Sequence, residues 1–464
     1  MFRKIALKYL LLMIFIGCSI QFSDCTSNQE CEDKLTPNYI CNSEQFCELG
    51  DFTFSTMEVI GLVIIASMIT ITNVGGVGAG SVIVPTTMAF LDYTVTDAIP
   101  YARVTIMTGC LVSFAMTGFA RTKSNPNRLD ISYNLAASVV PLLLSGSQIG
   151  VILTLWIPRV VIGVLLTCYL LISLRKTYIS ASKGSKKIKE KTLLKENMRE
   201  VELQSYTEGI QHTQGSNLGS SNTINIKTKF QLIRENAHNL AIILLCLGLL
   251  VIASLFRGGH KIKSIIGLQY CGVGGWLVVA ISQVTAVLIS AYTYNINKTS
   301  FTAEDVGLDS TESLSAGQGD GLHLLVARHL IFASYVIGIV AGMLGIGGGL
   351  VISVYMVAMG LNIGSIASFS IFIVLVSSTS STLQFIITGD LKIQNSYEFI
   401  AAALIGSLIA NTIIRPLIER EKKSNAVLWL LFVALCISYI VLPIVLIERV
   451  FHNPKSEFSF GQLC

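Results

Sequence analysis

The chain has 464 residues, of which 52% are hydrophobic and only 13% are charged. Many apolar runs reach the length of roughly 20 residues that crosses the hydrocarbon core of a bilayer, which excludes an ordinary soluble domain. The formal net charge of +5 is spread over polar loops and not gathered on one face, so a nucleic-acid-binding protein is not expected. The lipid bilayer is therefore the expected partner of this chain.

Residues 1–24 have the pattern of a secretory signal peptide, in which basic residues precede the short apolar run Tyr9–Ile16. An uncleaved anchor is the alternative. Residues 25–56 form a polar segment, predicted to be lumenal or extracellular, with four cysteines: Cys25, Cys31, Cys41 and Cys47. Behind a signal peptide they predict two disulfides, for which three connectivities fit. Zinc binding is less favoured because the segment has no C-x2-C pair.

Ten apolar segments follow, at Met57–Leu91, Ala98–Phe119, Ile131–Leu155, Ile157–Leu174, Leu240–Phe256, Gln269–Tyr292, Leu324–Met359, Ser365–Thr388, Phe399–Ile414 and Ala426–Ile447. The first and the seventh are too long for one crossing. Each fits a pair of short helices that meet at glycines, one kinked helix or a re-entrant hairpin.

The basic loops predict which ends of these segments are cytosolic. Residues 175–238 form a lysine-rich linker, and a short basic loop follows the second segment. Positive loops remain in the cytosol, so an external amino terminus requires the first segment to cross twice, with a return at Gly75–Gly80. The sequon at Asn297 falls on the cytosolic side in this count, where it would not be glycosylated.

Both long segments contain a glycine cluster near the middle. Gly76, Gly78 and Gly80 correspond at one constant offset to Gly345, Gly347 and Gly349, while Ala79 stands where the second cluster has Gly348. Broken backbone inside hydrocarbon is tolerated only within protein or around a water-filled cavity, so paired breaks indicate a binding site.

Further short motifs of the first half recur in the same order in the second half, which predicts that the chain arose by duplication. The predicted units are a first transmembrane repeat (57–174), connecting transmembrane helices (239–294), an acidic loop (295–323), a second transmembrane repeat (324–447) and a carboxy-terminal tail (448–464). The predicted fold is an all-α polytopic membrane protein with two homologous repeats, glycine-broken helices and roughly 8–12 membrane passages.

The two glycine motifs, the stretch Ile131–Val151 and the hydroxyl run Ser377–Thr382 resemble the sulfite exporter TauE/SafE family, especially its eukaryotic members. The resemblance covers the membrane halves from about Met57 to Ile447 but not the cysteine-rich segment. It implies movement of sulfite or an organosulfur anion across a membrane. It also implies a basic residue at the place of Arg103.

The predicted substrate-binding residues are Gly76, Gly78, Gly80, Arg103, Thr108, Gly345, Gly347, Gly348, Gly349, Ser377, Ser378 and Thr379. Helix amino termini at the glycines would present free N–H groups to an anion, and a buried arginine would add charge. The alternatives are that the glycines only allow close helix packing, that Arg103 extends to the membrane interface, and that the hydroxyls bond helix to helix.

Other functions have less support in the sequence. No nucleotide-binding motif and no arrangement of nucleophile and base indicates an enzyme, and no cofactor or metal is expected. Asp92 and Asp97 are candidates for proton or ion coupling, although charges at helix ends are usually solvated. The competing function is a membrane sensor with a disulfide-bonded external segment. The expected location is the plasma membrane or an endomembrane of the secretory pathway, and the pattern leaves the oligomeric state open.

Overall fold

The described part of the chain is helical apart from one small β-hairpin. The computed structural model describes residues 28–29, 31, 39–41, 47–50, 54–74, 79–121, 129–179, 181–182, 229–259, 264–268, 272–298, 319–358, 363–421, 424–452 and 457–458. The predicted signal peptide and most of the predicted basic linker and acidic loop lie outside these residues.

The helices are α1 (Thr56–Val74), α2 (Gly80–Phe90), α3 (Val95–Thr117), α4 (Tyr133–Trp156), α5 (Arg159–Ile179), α6 (Lys229–Arg257), α7 (Val273–Asn297), α8 (Gly319–Leu344), α9 (Gly348–Ala358), α10 (Ile363–Thr388), α11 (Tyr397–Ile409), α12 (Arg415–Glu421) and α13 (Ser424–His452). A 3-10 turn (Gln394–Ser396) precedes α11, and the π-helical turn Ala410–Ile414 joins α11 to α12. Within the described residues, ten helical segments are long and apolar enough to cross a membrane. The protein is therefore an all-α polytopic membrane protein, as predicted.

Both long apolar segments are broken at their glycine clusters, and in each case an 11-residue helix follows the break. In the first half, α2 turns back along α1. A Cβ placed on Gly61, near the start of α1, would lie 2.6 Å from a side-chain carbon of Leu91, which directly follows α2. The end of α2 therefore lies beside the beginning of α1, and the chain makes the return that the basic loops predict.

The β-hairpin covers one end of the helical bundle, which we call the outer face. It pairs β1 (Tyr39–Cys41) with β2 (Cys47–Leu49) in antiparallel register, with Cys41 opposite Cys47. Cys31 and Cys41 are each disulfide-bonded. Cys25 and the side chain of Cys47 lie outside the described residues, so the oxidation of all four cysteines stays a prediction.

One side chain attaches the hairpin to the first half of the bundle. Tyr39 is only 3% exposed, and its hydroxyl contacts Asp97 and Thr94 at the start of α3. Burial, and next to it the Asp97 carboxylate, raise the pKa of Tyr39 well above its ordinary value. The tyrosine therefore stays protonated and donates a hydrogen bond at any physiological pH.

Backbone carbonyls attach the hairpin to the second half. The Lys392 ammonium group donates to the Leu49 carbonyl at 2.8 Å, and the Asn395 amide donates to the Gly50 carbonyl at 2.7 Å. Both donors lie in the turn between α10 and α11. The hairpin thus bridges the outer ends of the two halves.

Polar contacts also mark the opposite end, which we call the inner face. The Ser368 hydroxyl, near the start of α10, donates to Asp130, just before α4. The Asn239 amide donates to Asn134 Oδ1 at 2.6 Å, and the Asn297 amide donates to Asn239 Oδ1 at 3.2 Å. Asn297 is only 6% exposed. The sequon asparagine therefore lies on the face predicted to be cytosolic, with its amide used in packing.

Corresponding helices of the two halves run in opposite directions. Helix α3 starts at the outer face beside Tyr39 and ends near the inner face, where Tyr133 donates to the Gly118 carbonyl. Helix α10 has Ser368, near its start, on the inner face and ends just before Lys392 on the outer face. The element order agrees with a pair of inverted repeats, the arrangement found in many secondary transporters. The common origin of the two halves stays a prediction.

Helices of each half pack against helices of the other half. Helix α4 packs against α8 and α10 of the second half, and its counterpart α11 packs against α1 and α3 of the first. The α4–α8 contact is a glycine seam, because each helix has two glycines four residues apart. A Cβ on Gly146 would lie 2.2 Å from the Tyr335 carbonyl oxygen, and one on Gly338 would lie 2.2 Å from that of Leu143. Small residues here let the two backbones approach directly.

We expect Gly338→Ala to destabilise the protein by about 1 to 3 kcal/mol, because the added methyl group would collide with a rigid backbone carbonyl. Gly248→Ala is the matched control on α6, where nothing lies within 4 Å of an added Cβ. Its unfolding free energy should stay the same or rise by up to about 1 kcal/mol. Thermal unfolding of the purified protein in detergent measures both. Equal midpoints for the two variants would contradict the packing described for α4 and α8.

The outer and inner faces are expected to be lumenal and cytosolic, respectively. In sealed vesicles from the secretory pathway, added protease should cut the linker at 183–228 and leave the hairpin at 39–50 protected. Protection of the linker, or a glycan on Asn297, would reverse the orientation. Detergent-opened vesicles are the control, in which both segments are accessible.

Candidate functional site

The two glycine breaks meet inside the bundle. Gly80 is the first residue of α2, and a Cβ placed on it would lie 2.3 Å from the Gly345 carbonyl oxygen and 2.7 Å from the Ile346 Cα. Only glycine permits this approach of backbone to backbone. The amino terminus of α2 therefore contacts the second break directly. Gly76 and Gly78 of the first cluster lie outside the described residues.

Glycine is required in the second break for its backbone conformation as well. Gly345 and Gly347 both have φ of +70°, the left-handed region in which a Cβ costs roughly 1 to 2 kcal/mol. Gly348 and Gly349 are the first two residues of α9 and have helical conformation. The break is therefore a sharp turn between two helices rather than a kink in one.

One face of α3 lines this meeting point over three successive turns. Ile99 contacts Gly345, Arg103 contacts the end of α8, and Ile106 contacts both Gly80 and Gly347. Residues at such spacing share one side of a helix. The arginine thus lies between two residues that touch the glycines.

Arg103 is completely buried, with 0% of its surface exposed, and it does not extend to the interface. Its Nη2 donates to the Ala341 carbonyl in the last turn of α8, while Nε and Nη1 have no hydrogen-bond partner in the described ranges of the chain. A cation at a helix carboxy terminus offsets the negative end of the helix dipole. In the described part of the chain no carboxylate neutralises this charge. The matching position in the second half, Phe372, packs against the rings of Phe114 and Tyr133.

The predicted hydroxyls on α10 bond mainly within the protein. Ser377 accepts the N–H of Gly348 at 3.4 Å and so caps the amino terminus of α9, and it donates to the Val374 carbonyl. Ser378 and Thr379 donate to carbonyls of their own helix, and Thr108 does the same on α3. Of these contacts, only the one between Ser377 and Gly348 joins two helices, and a role of the hydroxyls in substrate binding stays a prediction.

Sequence reasoning missed several polar residues around the breaks. Asn73, in the last turn of α1, donates to Ser407 at 2.7 Å and to the Gly109 carbonyl at 3.3 Å, and Ser147 bonds Ser381 at 2.8 Å. Ser81 was missed too. Ser81 directly follows the first glycine motif, which is the signal that could have identified it.

The aspartates considered for ion coupling lie at the outer face, away from the breaks. Asp97 contacts Tyr39 and Thr94. Asp92, in the turn before α3, has its pKa raised by burial, an effect partly opposed by the positive charge of Arg449. Coupling through either residue stays a prediction.

Curated plant proteins resemble this chain over most of its length. Sulfite exporter TauE/SafE family protein 2 of Arabidopsis thaliana is 22% identical over 425 residues, which are 88% of this chain and 87% of the relative. Family proteins 1 and 3 of the same plant are 23% and 24% identical over 84% of this chain, covering 85% and 79% of their own lengths. The chain thus resembles proteins of the sulfite exporter TauE/SafE family over most of its length. No family model and no solved structure matches the chain.

With ten helical segments in its described part that are long and apolar enough to cross a membrane, the chain is a multi-pass integral membrane protein, and one buried cation adjoins the breaks.

The two neighbouring glycines of the second break should respond differently to alanine. Gly347→Ala should destabilise the protein by about 1 to 2 kcal/mol, because the left-handed backbone strains any Cβ. Gly348→Ala should be tolerated, since its nearest contact, a Leu143 side-chain carbon at 3.4 Å, is ordinary. Thermal unfolding in detergent makes the comparison. A larger loss for Gly348→Ala would show that the break has another conformation.

Proposed function

We propose that this protein is a transmembrane transporter of a small anion, with sulfite or another oxyanion of sulfur as the substrate class. The observation that carries the proposal is the buried guanidinium of Arg103 beside two helix breaks that touch each other. An uncompensated buried cation is costly, and within a membrane such residues commonly mark a substrate pathway.

The helix ends at the breaks favour an anion there. Helices α2 and α9 both begin at the meeting point, and a helix amino terminus has free N–H groups and roughly half a positive charge. Arg103 occupies the carboxy terminus of α8, the nearby end that would repel an anion. Two helix amino termini and the guanidinium of Arg103 therefore all contribute positive charge around the meeting point.

The architecture supports transport by alternating exposure. The site lies between two halves of opposite orientation, and contacts tie those halves together at both faces: the hairpin at the outer face and the Ser368–Asp130 bond at the inner face. In proteins of this design, one half rocks against the other around a fixed central site. Alternate release of these contacts would expose the site to each side in turn.

The names of the Arabidopsis relatives support sulfite as the first substrate to test. The disulfide-bonded cysteines support a location in the secretory pathway or at the cell surface, where the outer face meets an oxidising compartment. Uptake of sulfite, sulfate, thiosulfate and a small sulfonate into proteoliposomes identifies the preferred anion. Imposed pH and sodium gradients identify a coupling ion.

We expect Arg103→Gln to raise the KM for the transported anion by about tenfold or more, because a charge-assisted hydrogen bond is lost. Arg103→Lys should transport better than Arg103→Gln, since a lysine keeps the charge while losing the planar fork. Arg175→Gln, at an exposed position near the end of α5, is the control for loss of one positive charge. If both Arg103 variants transport like the parent, the charge has no part in substrate binding.

A further inference from the structure

An anion needs hydrogen-bond donors, and a hydroxyl group has only one hydrogen to donate. The hydroxyls of Thr108, Ser378 and Thr379 already donate to carbonyls of their own helices, and Ser377 donates to Val374. Towards a ligand these four groups offer lone pairs, which an anion repels. The predicted hydroxyl residues are therefore poor anion donors in this conformation.

Ser81 differs from them. It is only 1% exposed, and among the residues that the structure describes its Oγ has no hydrogen-bond partner. Farther along α2, Thr86 and Thr87 donate to the carbonyls of Val82 and Ile83, four residues earlier. Ser81 is the second residue of the helix, so the carbonyl four residues before it belongs to residue 77, outside the helix. A buried hydroxyl without a partner is unfavourable unless a ligand supplies one.

Ser81 and Arg103 are at the same end of α8. Gly80, the neighbour of Ser81, contacts the Gly345 carbonyl, and Arg103 donates to the Ala341 carbonyl. Ala341 and Gly345 are one helical turn apart, and the Gly345 N–H donates to the Ala341 carbonyl at 3.1 Å. Ser81 on α2 and Arg103 on α3 thus both adjoin the last turn of α8.

The second break has no equivalent group. The residue that corresponds to Ser81 is Leu350, and the amino terminus of α9 is capped by Ser377 from α10. The capped terminus has one fewer free N–H for a ligand. The two half-sites are therefore chemically unequal, although the helices around them are arranged alike.

We propose that the Ser81 hydroxyl donates a hydrogen bond to an oxygen of the transported anion, which therefore binds on the α2 side of the meeting point. The inference rests on the proposed function. The remaining nitrogens of Arg103, Nε and Nη1, suit two further oxygens of the same anion. Three donors from two helices select an anion with at least three oxygen atoms, such as sulfite or a sulfonate, over a halide.

The test measures the KM for sulfite uptake by proteoliposomes that contain the full-length protein. Ser81→Ala should raise the KM about tenfold, because a hydrogen bond to a charged ligand is lost. Ser81→Cys, which keeps the shape of the side chain with a slightly larger and weakly donating thiol, should also raise the KM. Thr87→Val is the matched control, because Thr87 is buried on the same helix with its hydroxyl already bonded to Ile83. Its KM should equal that of the parent.

The outcomes separate the two proposals. If the parent transports sulfite and either well-assembled Ser81 variant keeps the parental KM within twofold, the role of Ser81 is overturned and the transport function stands. If Thr87→Val raises the KM as much as Ser81→Ala does, the effect is one of packing and the role of Ser81 is again overturned. If the parent transports none of the sulfur oxyanions, both proposals are wrong.

Discussion

The fold depends on one constraint, which is that polar backbone inside a membrane must find partners within the protein. Two helices of this chain are interrupted within the bundle, and neither interruption would be tolerated against lipid. The contact of Gly80 with Gly345 and Ile346 places the amino terminus of α2 directly against the second break. The exchange of helices between the halves encloses the breaks, with α3 and α10 on either side. The candidate site is thus a consequence of how the broken backbone is shielded.

Much of the architecture could be predicted from the sequence because hydrophobic length and glycine position are local signals. The ten spanning segments, the breaks at both glycine clusters and the return of α2 all follow from such signals. The opposite orientation of the two halves was harder to predict from the sequence. It is shown by contacts such as that of Ser368 with Asp130, between residues far apart in the chain. The periodicity of a sequence does not show which residues of the two halves meet.

The site was predicted less well than the fold, and the reason is again physical. A sequence shows which residues have polar groups but not where their hydrogens go. Ser378 and Thr379 looked suitable for a ligand, yet their hydroxyls satisfy their own helix, as serine and threonine usually do in membrane helices. Arg103 was recognised as unusual, but its contact with Ala341 depends on the turn that Gly345 makes.

The hairpin holds the two halves of the bundle in two different ways, and the difference bears on how the protein can evolve. Its contact with the first half requires one side chain, Tyr39, whereas its contact with the second half uses the carbonyls of Leu49 and Gly50. Every residue type has a carbonyl. Positions 49 and 50 can therefore change without losing the second attachment, whereas Tyr39, Lys392 and Asn395 cannot. Substitutions in the external segment should therefore be unevenly distributed, with Tyr39 as the position that changes least.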